Sequence, residues 1–242
     1  MNAYVKNRLN SKVRQQAMCE MLLVRSERPF QLREVFSAAE ALERYGIAGF
    51  GWGVAWLENG IIRCFKSPGR LTYEPTLTWR LAEHETNACL FHLRRPSLLC
   101  TISEVNTQPY VDGGSIAFGH NGFFERHAEF RPRFQSEVFG ESDSEIGFHM
   151  YCRQVRNGVE PATAMQDMIN ALIGEGDANV IALHSDGTVI ASGNNRMNRL
   201  FWFRGERFEG LVTELHSKDN TIFERVLPWV HEVRQVTEAK SI

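Results

Sequence analysis

Two adjacent residues near the middle of the chain, Asn121 and Gly122, have the types needed to stabilise negative charge developing on an oxygen atom. An Asn side-chain amide beside a Gly backbone N–H offers two neighbouring donors, which is what an oxyanion hole requires. Asn-Gly is also a common turn dipeptide, and the apolar residues 115–118, followed by Gly119, are typical of the end of a buried strand. Two interpretations therefore stay open at this point, a tight turn between two strands or a pair of oxyanion donors.

The elements around this dipeptide indicate an α+β protein. Period-two and short apolar runs predict strands over residues 19–24, 51–57, 61–65, 88–93, 180–183, 188–191, 200–203, 211–213 and 230–236. Pro29 and Phe30 are expected to end the first of these, and Asn59-Gly60 predicts a hairpin turn. Because the strands dominate both ends and the helices come in blocks, a layered α+β arrangement is favoured over alternating βαβ units.

Helical spacing marks three principal segments. Apolar residues between 32 and 42 recur with a helical period, and Gly46 is expected to close that helix as its C′ residue. Residues 142–145, Ser-Asp-Ser-Glu, have the spacing of a capping box at the start of a second helix. A third helix buries Met165, Met168, Ile169 and Leu172. A further short helix is predicted over residues 76–84.

Composition narrows the class of protein. The 242 residues are 43% hydrophobic and 23% charged, which is enough for a proper core, and no low-complexity linker divides them, so one domain is favoured. A net charge of −2 gives no electrostatic case for binding nucleic acid or an anionic membrane surface. No apolar run approaches the ~18 residues that span a bilayer. The five cysteines are widely spaced without a C-x-x-C pair, which indicates reduced thiols in a cytoplasm and no zinc site.

Six short motifs stand in a characteristic order along the chain. They are Met18-Cys19-Glu20, Gly51-Trp52-Gly53, Phe91-His92-Leu93-Arg94, Asn106-Thr107-Gln108-Pro109, Gly119-His120-Asn121-Gly122 and Glu141-Ser142-Asp143-Ser144-Glu145. In this order the sequence resembles the class II glutamine amidotransferases, which are N-terminal-nucleophile hydrolases, and is most similar to short stand-alone members that begin Met-Cys-Glu-Leu-Leu. The resemblance covers most of residues 18–186 and implies a four-layer αββα sandwich with two mostly antiparallel sheets.

The resemblance assigns a role to five residues. Cys19 matches the nucleophile, whose own α-amino group is the base in this family; a lone cysteine is otherwise most often a buried core thiol. Asn121 and Gly122 match the oxyanion hole. Arg94 matches the arginine that holds the substrate α-carboxylate, and otherwise reads as a surface arginine at a strand end. Asp143 matches the carboxylate that receives the substrate α-ammonium, and an acid is also favoured there by the helix dipole.

Other motif residues are expected to be structural. The resemblance gives neither His92 nor His120 an acid–base role, and Gln108 stands where relatives often carry His. The residues after Arg94 also depart from the family, because Arg95-Pro96-Ser97 replaces the Trp or Gln followed by Ala of relatives.

The implied function is hydrolysis of glutamine or a related γ-glutamyl amide through a thioester on Cys19, with no metal or organic cofactor. A separate synthase subunit is a possible partner to receive the ammonia, and a catalytically degenerate domain kept for binding or scaffolding is the alternative. Residues 1–18 are expected to be an N-terminal extension, either a propeptide or a mis-assigned start before translation at Met18, with residues 19–242 forming the amidotransferase domain.

Overall fold

A computed structural model describes residues 18–215 and 222–242 of the chain. The prediction for residues 1–17 therefore lies outside the described residues. Strands occupy Glu20–Gln31 (β1), Trp52–Glu58 (β2), Ile61–Ser67 (β3), Glu85–Leu93 (β4), Tyr110–Asp112 (β5), Ile116–Gly122 (β6), Ala178–His184 (β7), Val189–Gly193 (β8), Leu200–Gly205 (β9), Glu209–Thr213 (β10), Val230–Val236 (β11) and Lys240–Ser241 (β12). Helices occupy Arg33–Tyr45 (α1), Pro75–Leu81 (α2), His127–Phe130 (α3), Asp143–Arg156 (α4), Pro161–Leu172 (α5) and Ile222–Arg225 (α6).

Two antiparallel sheets form the centre of the fold. The larger sheet has the strand order β11-β9-β10-β1-β4-β2-β3, and the smaller has the order β12-β8-β7-β6-β5. In the larger sheet Glu20 lies opposite Leu93, and in the smaller sheet Asn121 lies opposite Asn179. The start of β1 and the ends of β4 and β6 therefore carry the motif residues of the two sheets.

The alternation of side chains along the strands explains the four layers. In β1, Leu22 and Val24 join a cluster with residues of α1, whereas Met21 and Leu23 join a second cluster that contains residues of both sheets. A third cluster joins β6 and β7 to α4 and α5. Because both faces of the central strands are covered, they read as continuous apolar runs. The predicted αββα sandwich is confirmed.

Most predicted elements are confirmed, and several of their boundaries are wrong. β1 does not end at Pro29 but continues to Gln31, after an irregularity in its pairing with β4 between Arg25 and Phe30. Asn59 and Gly60 form the predicted hairpin turn, with φ values of 52° and 74°. Strands β5 and β12, of three and two residues, were not predicted because they are too short to show a period.

Gly46 follows α1 as predicted, but for a different reason. Its φ of −85° is open to any residue, so it is not a left-handed cap. A Cβ at this position would lie 2.6 Å from the Leu42 carbonyl oxygen and 2.8 Å from Glu20 Oε1. Glycine is therefore required by the close packing of the helix end against the carboxyl group of Glu20.

Candidate active site

Cys19 lies immediately before β1, where the larger sheet faces the end of β6 in the smaller sheet. Its backbone N–H donates to Asn121 Oδ1 at 3.0 Å, a contact between residues 102 positions apart. Its sulfur accepts from the backbone N–H of Arg95 at 3.3 Å. The structure therefore brings the predicted nucleophile to the side chain of a predicted oxyanion donor.

The thiol of Cys19 is poorly acidic where it stands. Burial raises its pKa to about 11, and the Arg95 N–H bond and the charge of Arg94 only partly oppose this effect. At neutral pH the sulfur therefore keeps its proton and needs a base before it can attack an electrophile. In the described structure, the nitrogen of Cys19 is a peptide amide joined to Met18, itself 5% exposed.

Asn121 and Gly122 are strand residues, so the interpretation of this dipeptide as a turn between strands is wrong. Both pair with β7, opposite Asn179 and Ala178. Gly122 has a φ of +145°, and a Cβ there would stand 1.9 Å from the carbonyl oxygen of Asp177. Glycine is required here because the backbone of the neighbouring strand occupies the space of a side chain.

The strand geometry also orients the backbone N–H of Gly122. Phe123 N–H donates toward β7, to the carbonyl oxygen of Asp177 at 2.8 Å. The N–H of His120 points to the other edge of β6, where it donates to Gln108 Oε1 at 2.7 Å. Because N–H directions alternate along a strand, the N–H of Gly122 lies on the same edge as that of His120, away from β7. Asn121 and Gly122 thus offer a side-chain donor and a backbone donor at one strand end.

Arg94 follows β4 directly and is 6% exposed. Its Nη1 and Nη2 donate to the carbonyl and hydroxyl oxygens of Thr101, each at 2.8 Å. Desolvation lowers its pKa, opposed by the negative charges of the surrounding groups, Asp143 among them. Because the guanidinium has five N–H donors, donors remain for a substrate carboxylate while Thr101 fixes the side chain.

Asp143 is the first residue of α4. Its Oδ2 accepts from the backbone N–H of Phe124 at 2.8 Å, which fixes the carboxylate beside the end of β6. Ser142 caps the helix as predicted, accepting from Ser144 N. The reciprocal half of the capping box is wrong, because Glu145 instead accepts from the N–H groups of Phe139 and Gly140.

Arg94 and Asp143 both lie near the nucleophile. Arg94 directly precedes Arg95, whose backbone N–H donates to Cys19 Sγ at 3.3 Å, and Asp143 Oδ2 accepts from the N–H of Phe124, two residues after Gly122. The five predicted site residues therefore meet where the two sheets face each other. They bring together a thiol, an adjacent pair of hydrogen-bond donors, a guanidinium and a carboxylate.

His92 and His120 are buried behind this region and are neutral. Burial lowers the pKa of His92 to about 3 and that of His120 to about 4. His92 Nε2 lies 3.1 Å from the carbonyl oxygen of His120, and His120 Nδ1 lies 2.9 Å from Ser144 Oγ. Gln108 joins the same group, since its Nε2 donates to the His120 carbonyl and to Ser144 Oγ. These contacts tie β4, β6 and α4 together beneath the site.

The segment that departs from the family borders the sulfur. The Arg95 backbone supports Cys19 Sγ, while its side chain donates from Nη1 to the carbonyl oxygen of Ile47 at 3.0 Å. Its guanidinium also lies 5.4 Å from the centre of the Phe50 ring. The charged side chain is therefore held on the loop between α1 and β2.

Two buried groups beside the site were missed in the sequence. Asn198 is fully buried, and its Oδ1 accepts from Asn121 Nδ2 at 2.9 Å. Glu20 is also fully buried; its Oε2 accepts from Thr213 Oγ1 at 2.8 Å, and burial raises its pKa to about 8. Asn198 stands in a polar connection that is typical of a loop, and in the sequence Glu20 is marked only by its place in the Met18-Cys19-Glu20 motif.

Within ranges 18–215 and 222–242, no three His, Cys, Asp or Glu side chains lie close enough together to hold a metal ion. None of the helices in these ranges is long and apolar enough to cross a membrane.

Comparison with known proteins identifies the family. Residues 18–220 match the family described as glutamine amidotransferases class-II. A glutamine–fructose-6-phosphate aminotransferase (isomerizing) of Mesorhizobium japonicum is 26% identical over an alignment of 168 residues that covers 64% of this chain and 27% of the relative. The chain spans less than a third of the length of the curated relatives it matches.

Solved structures show the same fold. Glutamine phosphoribosylpyrophosphate amidotransferase from B. subtilis, in complex with ADP and GMP, superposes with a TM-score of 0.71 at 15% identity, covering 93% of this chain and 49% of that one. A glutamine aminotransferase class-II domain protein from Silicibacter pomeroyi gives a TM-score of 0.60 at 15% identity, covering 93% of this chain and 98% of the other.

Proposed function

Since the chain belongs to the class-II glutamine amidotransferases, we propose that it hydrolyses glutamine or a related γ-glutamyl amide through a thioester on Cys19. The observation that carries the proposal is the hydrogen bond from the nitrogen of Cys19 to Asn121 Oδ1. This bond supports the proposal because it joins the nitrogen of Cys19, the proposed base, to Asn121, the proposed oxyanion donor.

The base in this proposal is the α-amino group of Cys19. A free α-amine titrates near ~7.7–8.0, so at neutral pH a useful fraction is unprotonated and able to accept the thiol proton. When Met18 is attached, the nitrogen of Cys19 is an amide, whose lone pair is delocalised into the carbonyl group and cannot accept the proton. The active protein therefore begins at Cys19, and the favoured route is translation from Met18 followed by ordinary methionine removal.

The substrate is held at its zwitterionic end. Arg94 donates two bonds to the α-carboxylate, and Asp143 receives the α-ammonium. Both side chains are fixed by a local contact, Arg94 by Thr101 and Asp143 by Phe124 N–H. Because these side chains are already fixed, they lose little conformational freedom when the substrate binds. The bound substrate then presents its γ-carbonyl carbon to Cys19 Sγ.

The reaction proceeds in two halves. The Cys19 amine takes the thiol proton, the thiolate attacks the γ-carbonyl carbon, and the oxyanion is met by Asn121 Nδ2 and Gly122 N–H. The C–N bond breaks as the ammonium returns its proton to the leaving nitrogen, releasing ammonia or an amine and leaving the γ-glutamyl thioester. Water, deprotonated by the same amine, then attacks the thioester to release glutamate, and the proton returns to sulfur.

The fate of the nitrogen separates three uses of this site. The chain hydrolyses a γ-glutamyl amide other than glutamine, or it passes ammonia to a separate synthase subunit, or it is a degenerate domain that serves as a binding subunit. The first two uses are favoured because all five residue types of the proposed site are present and Cys19 is hydrogen-bonded to Asn121. Assays with glutamine, γ-glutamyl amides and γ-glutamyl dipeptides, reading released glutamate, distinguish hydrolysis from scaffolding and rank the substrates.

The deciding experiment compares two N-termini and one substitution. A chain shown by intact mass to begin at Cys19 is expected to release glutamate, whereas the same chain with Cys19→Ala gives none above the blank and unfolds at nearly the same temperature. A chain that retains Met1 is expected to be inactive. Full activity with Met1 still present would refute the amine as base, and turnover by the alanine variant would refute the nucleophile.

A further inference from the structure

Asn198 lies in the connection from β8 to β9, which crosses from the smaller sheet to the larger one beside the site. Its backbone is held from both sides. Its N–H donates to Asn195 Oδ1 at 3.1 Å, and its carbonyl oxygen accepts from Asn179 Nδ2 at 2.6 Å. A fully buried side chain on so constrained a backbone has one fixed position.

The orientation of the Asn198 amide follows from one neighbour that can only accept. Its Nδ2 donates to the backbone carbonyl oxygen of Glu214 at 2.7 Å. Because a carbonyl oxygen has no proton to give, the nitrogen end of the amide must face Glu214 and the oxygen end must face Asn121. Glu20 Oε2, 3.4 Å from the same Nδ2, is a second acceptor on that side.

The orientation of Asn121 then follows in turn. Facing the oxygen of Asn198, it must present its own nitrogen, at 2.9 Å, which leaves its Oδ1 toward the nitrogen of Cys19 at 3.0 Å. A flipped Asn121 amide would place oxygen against oxygen at Asn198 and N–H against N–H at Cys19. Each such buried mismatch costs about 1–3 kcal/mol.

We propose that Asn198 is a positioning residue that fixes the amide of Asn121 for both of its uses in catalysis. The proposal rests on the proposed function, in which Asn121 Oδ1 orients the Cys19 amine by accepting one of its N–H groups. One Nδ2 hydrogen of Asn121 is bound by Asn198, and the other is left to meet the oxyanion. Rotation of the Asn121 amide would lose both contacts at once.

The first test is a double-mutant cycle in the chain that begins at Cys19. Asn198→Leu keeps the size of the side chain and removes its hydrogen bonds. It is expected to lower kcat about 10–100-fold, less than the ~10²–10³ for losing an oxyanion donor outright, with KM within about twofold. Added to Asn121→Ala, it is expected to lower kcat by less than about threefold more, because its target is already gone.

Two matched variants separate positioning from general destabilisation. Asn198→Asp retains an oxygen that accepts from Asn121 Nδ2 and, protonated on its other oxygen, a donor to the carbonyl oxygen of Glu214, so it is expected to keep kcat within about tenfold of the parent. Thr86→Ala removes a buried hydroxyl that forms several hydrogen bonds at the end of β4 far from the site. It is expected to leave kcat unchanged both in the parent and in Asn121→Ala. Additive losses from Asn198→Leu and Asn121→Ala would overturn the proposal, as would an Asn198→Leu variant with parental kcat.

A second measurement does not depend on turnover. The side-chain NH₂ signals of Asn121, assigned by their loss in Asn121→Ala, are expected to exchange with solvent at least tenfold faster in Asn198→Leu than in the parent, while those of Asn106 do not change. Equal exchange in the two proteins would overturn the proposal even if no substrate were turned over. Absence of turnover with protected Asn121 signals would instead count against the proposed function alone.

Discussion

The two halves of the site are built in different ways. The nucleophile half, comprising Cys19, Asn121, Gly122 and Asn198, consists of neutral polar groups whose contacts join residues 102 and 77 positions apart. The anchor half, Arg94 and Asp143, consists of charged groups held by partners 7 and 19 positions away.

In the reaction that we propose, this difference follows from what each half must do. An oxyanion exists only during the reaction, so its donors must already point to it, and that requires rigid contacts between distant parts of the fold. A zwitterionic substrate is charged before, during and after the reaction. Two fixed opposite charges recognise it by themselves, and a short loop or a helix start is sufficient to hold each one.

The largest effect should come from breaking the nucleophile half. Asn121→Ala removes a donor that meets charge only in the transition state, so kcat is expected to fall about 10²–10³-fold while KM changes little. Asn121→Asp is the matched variant, because it keeps an acceptor for the Cys19 nitrogen but loses the donor. If both variants lose kcat equally in steady-state assays, the donor is the part that matters. A rise in KM at constant kcat would show that Asn121 binds substrate instead.

A smaller effect of a different kind is expected from the anchor half. Arg94→Lys loses the two-pronged grip on a carboxylate, and Asp143→Asn loses the charge that receives an ammonium. Each removes a charge-assisted contact of about 1.5–3 kcal/mol, or roughly 10–100-fold in kcat/KM. The effect should be expressed mainly in KM, opposite to that of Asn121→Ala.

The control for the anchor half is Arg156→Lys. Arg156 is the last residue of α4, the helix that begins with Asp143, and forms an exposed ion pair with Asp112 of β5. Its substitution is expected to leave kcat/KM unchanged. Unchanged KM and kcat/KM in both anchor variants would place the substrate elsewhere.

The same division explains what could be predicted from the sequence. The strands and helices follow from apolar period, whereas the four layers and the candidates Arg94 and Asp143 follow from the family resemblance. Asn198 could not be predicted, because its role depends on a crossing between two sheets, and a polar segment between strands reads as a turn. The interpretation of Asn121-Gly122 as a turn failed for a related reason. Local turn preference was overridden by the pairing of β6 with β7, and Gly122 is required by the close approach of Asp177.

The smallest expected effect concerns stability and comes from Glu20. It tests whether the nucleophile half tolerates an ionised residue beside it. Glu20 is buried behind Cys19 and Asn198, and burial raises its pKa to about 8. In the unfolded chain a Glu titrates near ~4.3. Between that pH and about 8, the folded protein therefore holds a proton that the unfolded chain has lost. The contribution of Glu20 to stability is therefore fully present below the unfolded pKa and is lost as the pH rises through about 8.

Glu20→Gln removes this pH-dependent contribution to stability while keeping an oxygen that accepts from Thr213 and Asn198. The variant and the parent are expected to unfold at similar temperatures at pH 5. At pH 8.5 the variant is expected to unfold at a temperature roughly 2–6 °C higher, because it regains about 1–2 kcal/mol of unfolding free energy in a chain of this size. Glu214→Gln is the matched control, since this buried carboxylate is paired with Arg199 and its loss should lower the unfolding temperature at pH 8.5. A difference between Glu20→Gln and the parent that is the same at both pH values would show that Glu20 is ionised in the folded protein. A buried charge would then lie beside the nucleophile half. The two halves would differ only in how far apart along the chain their contacting residues are.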